Sequence, residues 1–74
     1  MASTHLDCRG LKCPMPIVRL SIVARDLQAG DELRIDADDP AFRADLHAWA
    51  RRCNFEVLAF EAGPGGQSAR LVKR

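Results

Sequence analysis

Two closely spaced prolines constrain the fold of this chain more than any other feature. Residues 11–16 read Leu-Lys-Cys-Pro-Met-Pro, and an apolar run follows at once. Proline breaks a helix interior, but it suits the first turn, where its missing N–H would have no partner. The run therefore predicts a helix that begins at Pro14, with Cys13 at the N-cap position.

A cysteine at the start of a helix is in an activating environment. The helix N-terminus carries a partial positive charge and unpaired N–H groups, so it favours an anion. The thiolate is the reactive form of cysteine. Because Pro16 has no N–H, we expect the amide of Met15 to be the donor that caps the sulfur.

Three basic residues lie close to Cys13 in the sequence: Arg9, Lys12 and Arg19. If they surround the sulfur, they favour the thiolate and any anionic adduct of it. The alternative is a solvated basic rim without a role, which is as common at surface positions. In the loop before the cysteine, Gly10 allows a sharp change of chain direction.

Hydrophobic periodicity predicts the order strand, helix, strand, helix, strand, strand. The predicted strands are residues 4–8, 32–37, 55–62 and 68–73, and the predicted helices are 14–28 and 40–53. The apolar stripe of the first helix is Ile17, Leu20, Ala24 and Leu27, widened by Val18, Ile22 and Val23. The stripe of the second helix is Phe42, Leu46, Trp49, Ala50 and Cys53.

Turn residues separate these elements. Gly30 suits a left-handed residue after the first helix, and Asn54 suits the end of the second. Asp39 is the predicted N-cap of the second helix, with Pro40 in its first turn. A glycine-rich turn at residues 63–66 joins the last two strands.

This order of elements predicts a two-layer α/β sandwich. A strand–helix–strand unit gives a parallel pair with a right-handed crossover, and the short final turn gives an antiparallel pair. We therefore expect a βαβαββ fold, with a four-stranded mixed sheet and two helices on one face. A chain of 74 residues has room for a single domain, residues 1–74.

Composition argues against several classes of protein. The net charge is +1 and aromatic residues are 5%, which argues against direct stable binding of nucleic acid. The apolar runs are too short for a membrane span, and the first residues lack the pattern of a signal peptide. We expect a cytoplasmic protein without membrane contact, and a monomer.

The odd number of cysteines, three, argues against a disulfide scaffold. Cys8 has two interpretations: a second sulfur-handling thiol, or a small side chain that faces the sheet interior, and the second is favoured. Cys53 falls on an apolar stripe, so we expect it in the core. His5 and His47 have no ligand-like spacing to any cysteine, so no metal site or cofactor is expected.

The chemistry of Cys13 favours carrying a group over turning over a substrate. No histidine is visibly paired with it as a base, which a hydrolytic cysteine enzyme needs. The chain is also too short to build a substrate pocket beside its core. We therefore expect Cys13 to carry a group, and we do not expect a turnover enzyme.

Residues 6–16, Leu-Asp-Cys-Arg-Gly-Leu-Lys-Cys-Pro-Met-Pro, resemble the signature of the TusA/SirA-like sulfur carriers. The Leu-Asp, Gly-Leu and Cys-Pro-x-Pro elements all match. The resemblance covers essentially the whole chain, including the Asp39–Pro40 helix start and the position of Trp49. The family fold is the same βαβαββ sandwich.

The resemblance implies a role for Cys13. In the family, the cysteine of this motif accepts sulfane sulfur as a persulfide and hands it on, with no other cofactor. Donors are cysteine desulfurases or rhodanese-type sulfurtransferases, and acceptors are DsrE-like proteins of the TusBCD or DsrEFH type. The pathways served include 2-thiouridine formation in tRNA, molybdenum-cofactor biosynthesis and dissimilatory sulfur oxidation. No role is carried over to Cys8.

Two alternatives remain open at the level of sequence. A thiol redox or regulatory module would use Cys8 and Cys13 as a switch. A small RNA-binding domain would use a similar sandwich, although charge and aromatic content argue against it.

Overall fold

The computed structural model describes residues 3–12 and 14–74. Its elements are β1 (Ser3–Asp7), α1 (Met15–Ala24), β2 (Glu32–Ala37), α2 (Phe42–Arg52), β3 (Phe55–Gly63) and β4 (Gly66–Lys73). The predicted βαβαββ order is confirmed. Strand β2 has the predicted bounds, and β1 ends one residue before Cys8.

The strands form one sheet in the order β1-β2-β4-β3. The pair β1/β2 is parallel, and β2/β4 and β3/β4 are antiparallel. The predicted mixed sheet is therefore confirmed. Strand β4 lies between β2 and β3, so β1 and β2 are neighbours at one edge of the sheet. Because these two strands are parallel, their carboxyl ends lie close together.

One face of the sheet is covered by the two helices. In the central strand β2, Leu33 and Ile35 are fully buried while Arg34 between them is exposed. This alternation is typical of a strand with one buried face. The helices contribute Leu20, Phe42, Leu46 and Trp49 to the same core, which confirms the two-layer sandwich.

Helix α1 is shorter than predicted at both ends. It begins at Met15 with Pro14 as the N-cap residue, because the first helical bond runs from the Val18 N–H to the Pro14 carbonyl, at 3.0 Å. At the other end, the N–H groups of Asp26 and Leu27 bond three residues back instead of four. The helix therefore tightens into a turn after Ala24 and does not reach residue 28.

The predicted apolar stripe of α1 is too wide. Leu20 and Ala24 are buried as expected, and Ile17 and Val23 pack against the core. Val18 and Ile22 are exposed, by 42% and 60%. The face of a helix that packs on a sheet covers only about a third of the helix circumference. These two side chains lie outside that buried face.

Helix α2 also begins later than predicted. The Phe42 N–H bonds to the Asp39 carbonyl, and the first helical bond runs from the Asp45 N–H to the Ala41 carbonyl. The N-cap residue is therefore Ala41, not Asp39. The Asp39 carboxylate still accepts the Ala41 N–H at 3.0 Å, so it stabilises the turn that leads into the helix.

The prediction that Cys53 lies in the core is wrong. Helix α2 ends at Arg52, and Cys53 is the exposed C-cap residue. Asn54 follows in a left-handed conformation, with φ 64°, as predicted for the residue that ends this helix. The chain turns there before the apolar face of the helix returns to the core.

The two helices are joined by a polar contact inside the sandwich. The indole N–H of Trp49 donates to the Ser21 hydroxyl at 2.9 Å, and this hydroxyl donates to the Ile17 carbonyl, also at 2.9 Å. The N–H of a buried tryptophan needs a partner.

None of the helices in the described part of the chain has the length and apolar character that a membrane crossing requires.

Candidate functional site

The loop between β1 and α1 is the predicted site. Cys13 lies outside the described residues, so its role as sulfur carrier is not described by the structure. The N-cap residue of α1 is Pro14, so the prediction of Cys13 at that position is wrong. The site is described by its neighbours, residues 8–12 before it and residues 14–19 after it.

Gly10 anchors the loop to the end of β2. Its N–H is shared by both carboxylate oxygens of Asp38, at 3.1 and 3.0 Å. Gly10 has a φ of 86°, a left-handed conformation that glycine adopts without strain. The predicted change of direction at Gly10 is confirmed, and the acceptor that holds it is Asp38.

Arg9 is bound within the loop. Its guanidinium forms a two-point contact with the Asp7 carboxylate, at 3.0 and 3.1 Å, and its backbone N–H donates to the same group. These hydrogen bonds lower the pKa of Asp7 to about 2. The partner that the structure gives Arg9 is therefore a carboxylate, while its predicted support of the sulfur stays a prediction.

The amide of Met15 is already paired. It donates to the Lys12 carbonyl at 2.8 Å, in the turn that leads into α1. The cap from this amide to the sulfur stays a prediction, because Cys13 lies outside the described residues. Together with Gly10, the Lys12–Met15 bond fixes the backbone on both sides of position 13.

The other residues that were predicted to support Cys13 lie in different environments. Lys12 and Arg19 are exposed, as a basic rim would be. Pro16 is buried and Pro14 is exposed, so the second proline packs the start of α1 onto the core. Met15 is 45% exposed and stands beside the exposed Val18 of α1.

Cys8 is fully buried, which confirms the favoured interpretation of this residue. Its N–H donates to the Asp36 carbonyl at 2.7 Å, so it continues the pairing of β1 with β2. Burial raises the pKa of the Cys8 thiol, and the positive charge of Arg19 opposes that shift only in part. Cys8 therefore has the properties of a core side chain and not those of a reactive thiol.

Within residues 3–12 and 14–74, no group of three His, Cys, Asp or Glu side chains is arranged to hold a metal ion. His5 instead contacts the carboxylate of Asp36 on the neighbouring strand, with Nε2 and Oδ2 2.6 Å apart. His47 bonds to the carbonyl of Arg43 on its own helix.

Sequence analysis did not identify Asp38 and Asp7 as residues that organise the loop. Asp38 lies between a strand and a helix, where the predicted N-cap was its neighbour Asp39, and no role was assigned to Asp38. The signal that was available is the pairing of β1 with β2. Parallel strands bring their carboxyl ends together, and this places residues just after β1 beside residues just after β2.

A family model described as Sulfurtransferase TusA matches residues 4–73 of the chain. The match includes the whole loop and the Cys-Pro-Met-Pro run. The chain belongs to the TusA family. The loop that Asp38 and the Met15 turn hold in place lies within the matched residues.

Three relatives of this TusA-family chain carry names that begin "Putative sulfur carrier protein". YrkF of Bacillus subtilis is 48% identical over 61 residues, 82% of this chain and 33% of the relative. A protein of Aquifex aeolicus is 34% identical over 92% of this chain and 34% of its own length. One of Archaeoglobus fulgidus is 32% identical over 93% and 90%. The chain spans about a third of the length of the first two.

Proposed function

We propose that this chain is a sulfur carrier that accepts sulfane sulfur on Cys13 as a persulfide and passes it to an acceptor protein. The observation that carries the proposal is the TusA family match over residues 4–73, which includes the Cys-Pro-Met-Pro motif. The names of the relatives support it.

The transfer is an exchange at sulfur and needs no added oxidant. The Cys13 thiolate attacks the outer sulfur of a donor persulfide, the donor's S–S bond breaks, and the donor cysteine leaves as a thiolate. A new S–S bond forms on Cys13, and the acceptor protein's thiolate later attacks its outer sulfur in the same way. The resemblance to the family makes a cysteine desulfurase or rhodanese-type protein the donor, and a DsrE-like protein the acceptor.

The local structure supports a carrier. The loop is fixed on both sides of position 13, by Asp38 at Gly10 and by the Lys12–Met15 turn. Lys12 and Arg19 are exposed cations close to Cys13 in the sequence and would favour a persulfide anion. The thiol must be reduced between cycles, so we further propose a cytoplasmic location.

The redox alternative has less support. A switch between Cys8 and Cys13 needs a reactive, accessible thiol at both positions. Cys8 is fully buried, and burial raises the pKa of its thiol. A disulfide would require the buried side chain of Cys8 to become accessible.

The test is intact-protein mass spectrometry after incubation with a cysteine desulfurase and cysteine, followed by peptide mapping. We expect one added sulfur atom on Cys13 that dithiothreitol removes. Cys13→Ser should not load, while Cys8→Ser and Cys53→Ser should. Circular dichroism of each variant checks the fold. Loading of folded Cys13→Ser, or a Cys8–Cys13 disulfide in place of added sulfur, would overturn the proposal.

A further inference from the structure

Helix α2 presents a basic stripe to solvent. Arg43, His47 and Arg51 are spaced by four residues, so they form one line along the helix surface. Arg43 and Arg51 are exposed and His47 is half-buried. The buried residues Leu46 and Ala50 lie next to this line, three residues after Arg43 and His47, so the stripe runs along the border between the core-facing and the solvent-facing sides of α2. We call Arg43, His47 and Arg51 the α2 basic stripe.

Arg43 and His47, at the N-terminal end of the stripe, both lie against an aromatic ring. The guanidinium carbon of Arg43 lies 5.2 Å from the centre of the Phe60 ring, a cation–π distance. The His47 ring lies 5.8 Å from the same centre, and its Nδ1–H donates to the Arg43 carbonyl at 2.7 Å. Since these side chains are fixed before any partner arrives, less conformational entropy is lost when one binds.

Arg51 lines more than one shallow depression on the surface. One is lined by Pro40, Arg43, Ala44, His47 and Arg51, a set without a carboxylate. A second depression contains one acidic side chain, Glu56. The Glu56 carboxylate already accepts a hydrogen bond from Arg74. The described residues that line these depressions therefore have an excess of positive charge.

The α2 basic stripe lies on the helix that follows Asp38, the residue that anchors the loop between β1 and α1. Asp38 binds Gly10 and comes four residues before the start of α2. The first turn of α2, where Arg43 lies, is therefore at the same end of the sheet as the loop that contains Cys13. A protein that approaches Cys13 for sulfur transfer can extend along α2.

We infer that the α2 basic stripe is a docking surface for an acidic segment of a partner protein in sulfur transfer. Carboxylates complement its charge, and charge pairs of this kind steer encounter and orient partners. An RNA partner is less favoured, because the aromatic ring at the stripe is half-buried under Arg43 and not open for base stacking. The inference rests on the proposed function.

The test uses the full chain and a fluorescein-labelled decaglutamate peptide. Fluorescence anisotropy at about 20 mM and about 200 mM salt measures binding and its screening. Arg51→Glu reverses the charge at the C-terminal end of the stripe. Arg25→Glu, at the exposed end of α1, changes the net charge equally and is the matched control.

We expect salt-sensitive binding by the wild type, about tenfold weaker binding by Arg51→Glu, and a change of at most about twofold in Arg25→Glu. If Arg51→Glu does not fold, Arg51→Gln replaces it, with Arg25→Gln as its control. Equal losses in the two variants, or no wild-type binding at low salt, would overturn the inference. Tighter binding of a single-stranded RNA that also depends on Arg51 would overturn it in favour of nucleic acid.

Failure of the docking surface can be told apart from failure of the carrier. Glutathione persulfide is a small donor that needs no docking surface. We expect Arg51→Glu to accept sulfur from it at the wild-type rate, with the added sulfur on Cys13. A folded wild type that binds the peptide but never loads would contradict the proposed function and leave the acidic docking surface standing.

Discussion

Both carboxylate oxygens of Asp38 lie within hydrogen-bonding distance of the Gly10 amide nitrogen, at 3.1 and 3.0 Å. This contact joins the residue after β2 to the loop after β1, three residues before Cys13. Asp38 is therefore a positioning residue for the motif loop.

Asp38→Ala should loosen the loop without unfolding the protein. The Gly10 N–H loses a charged acceptor, so we expect its amide hydrogen to exchange about tenfold faster. Amide exchange followed by NMR measures this directly. Persulfide loading of Cys13 from glutathione persulfide should slow in the same variant.

Asp38→Asn is the matched control, because its side-chain carbonyl can still accept the bond. We expect it to recover most of the protection at Gly10 and most of the loading rate. If Gly10 exchanges equally in the wild type and in Asp38→Ala, the contact does not hold the loop in solution.

The pH dependence of stability should reflect two carboxylates. Hydrogen bonds from Arg9 lower the pKa of Asp7 to about 2. For Asp36, burial raises the pKa, but the bonds from His5 and Ser68 and the charge of Arg34 outweigh it, so the net shift is downward. Both groups bind protons more weakly when folded, so their stabilisation is present above an unfolded pKa of about 3.9.

Stability should therefore fall as the pH decreases from about 4 to about 2. Urea unfolding across this range measures the slope. Asp7→Asn cannot titrate, so we expect a shallower slope than that of the wild type. An unchanged slope in Asp7→Asn would contradict the role of the Arg9 contact.

The fold could be predicted because its signals are local. Alternating residues define β2, the glycine-rich turn defines the β3–β4 pair, and the prolines locate the start of α1. The helix ends were less accurate, because i→i+3 turns precede Met15 and Phe42. Only the hydrogen bonds of the folded chain decide where such a turn becomes a helix.

The errors within the helices come from tertiary packing. Periodicity assigned Ile22 and Cys53 to the core, but the sheet is narrow and α2 ends before Cys53 can turn inward. The Asp38–Gly10 contact joins residues 28 positions apart, so no local pattern could reveal it. The family could be recognised from the sequence, whereas the residues that position the loop between β1 and α1 required the β1/β2 pairing.

The two described cysteines should differ strongly in reactivity. Cys53 is exposed and Cys8 is buried with a raised thiol pKa. In the native Cys13→Ser variant, we expect iodoacetamide to modify Cys53 at least about a hundredfold faster than Cys8. Peptide mapping after timed quenching measures both rates, and urea should make them equal. Rapid native labelling of Cys8 would mean that the β1 end opens readily, and it would revive the redox alternative.

The β3–β4 hairpin should depend on Gly66 and not on Gly65. Gly66 has a φ of 125°, and a Cβ added there would lie 3.0 Å from the backbone oxygen of Ala37. Gly66→Ala should lower the free energy of unfolding by about 1–3 kcal/mol. Neither the strained backbone conformation nor the close contact with a main-chain atom can relax without a shift of the backbone. A Cβ at Gly65 meets nothing within 4 Å, so Gly65→Ala should change stability by less than about 1 kcal/mol. Chemical denaturation of the two variants measures the difference, and equal stabilities would contradict this packing of the hairpin against the end of β2.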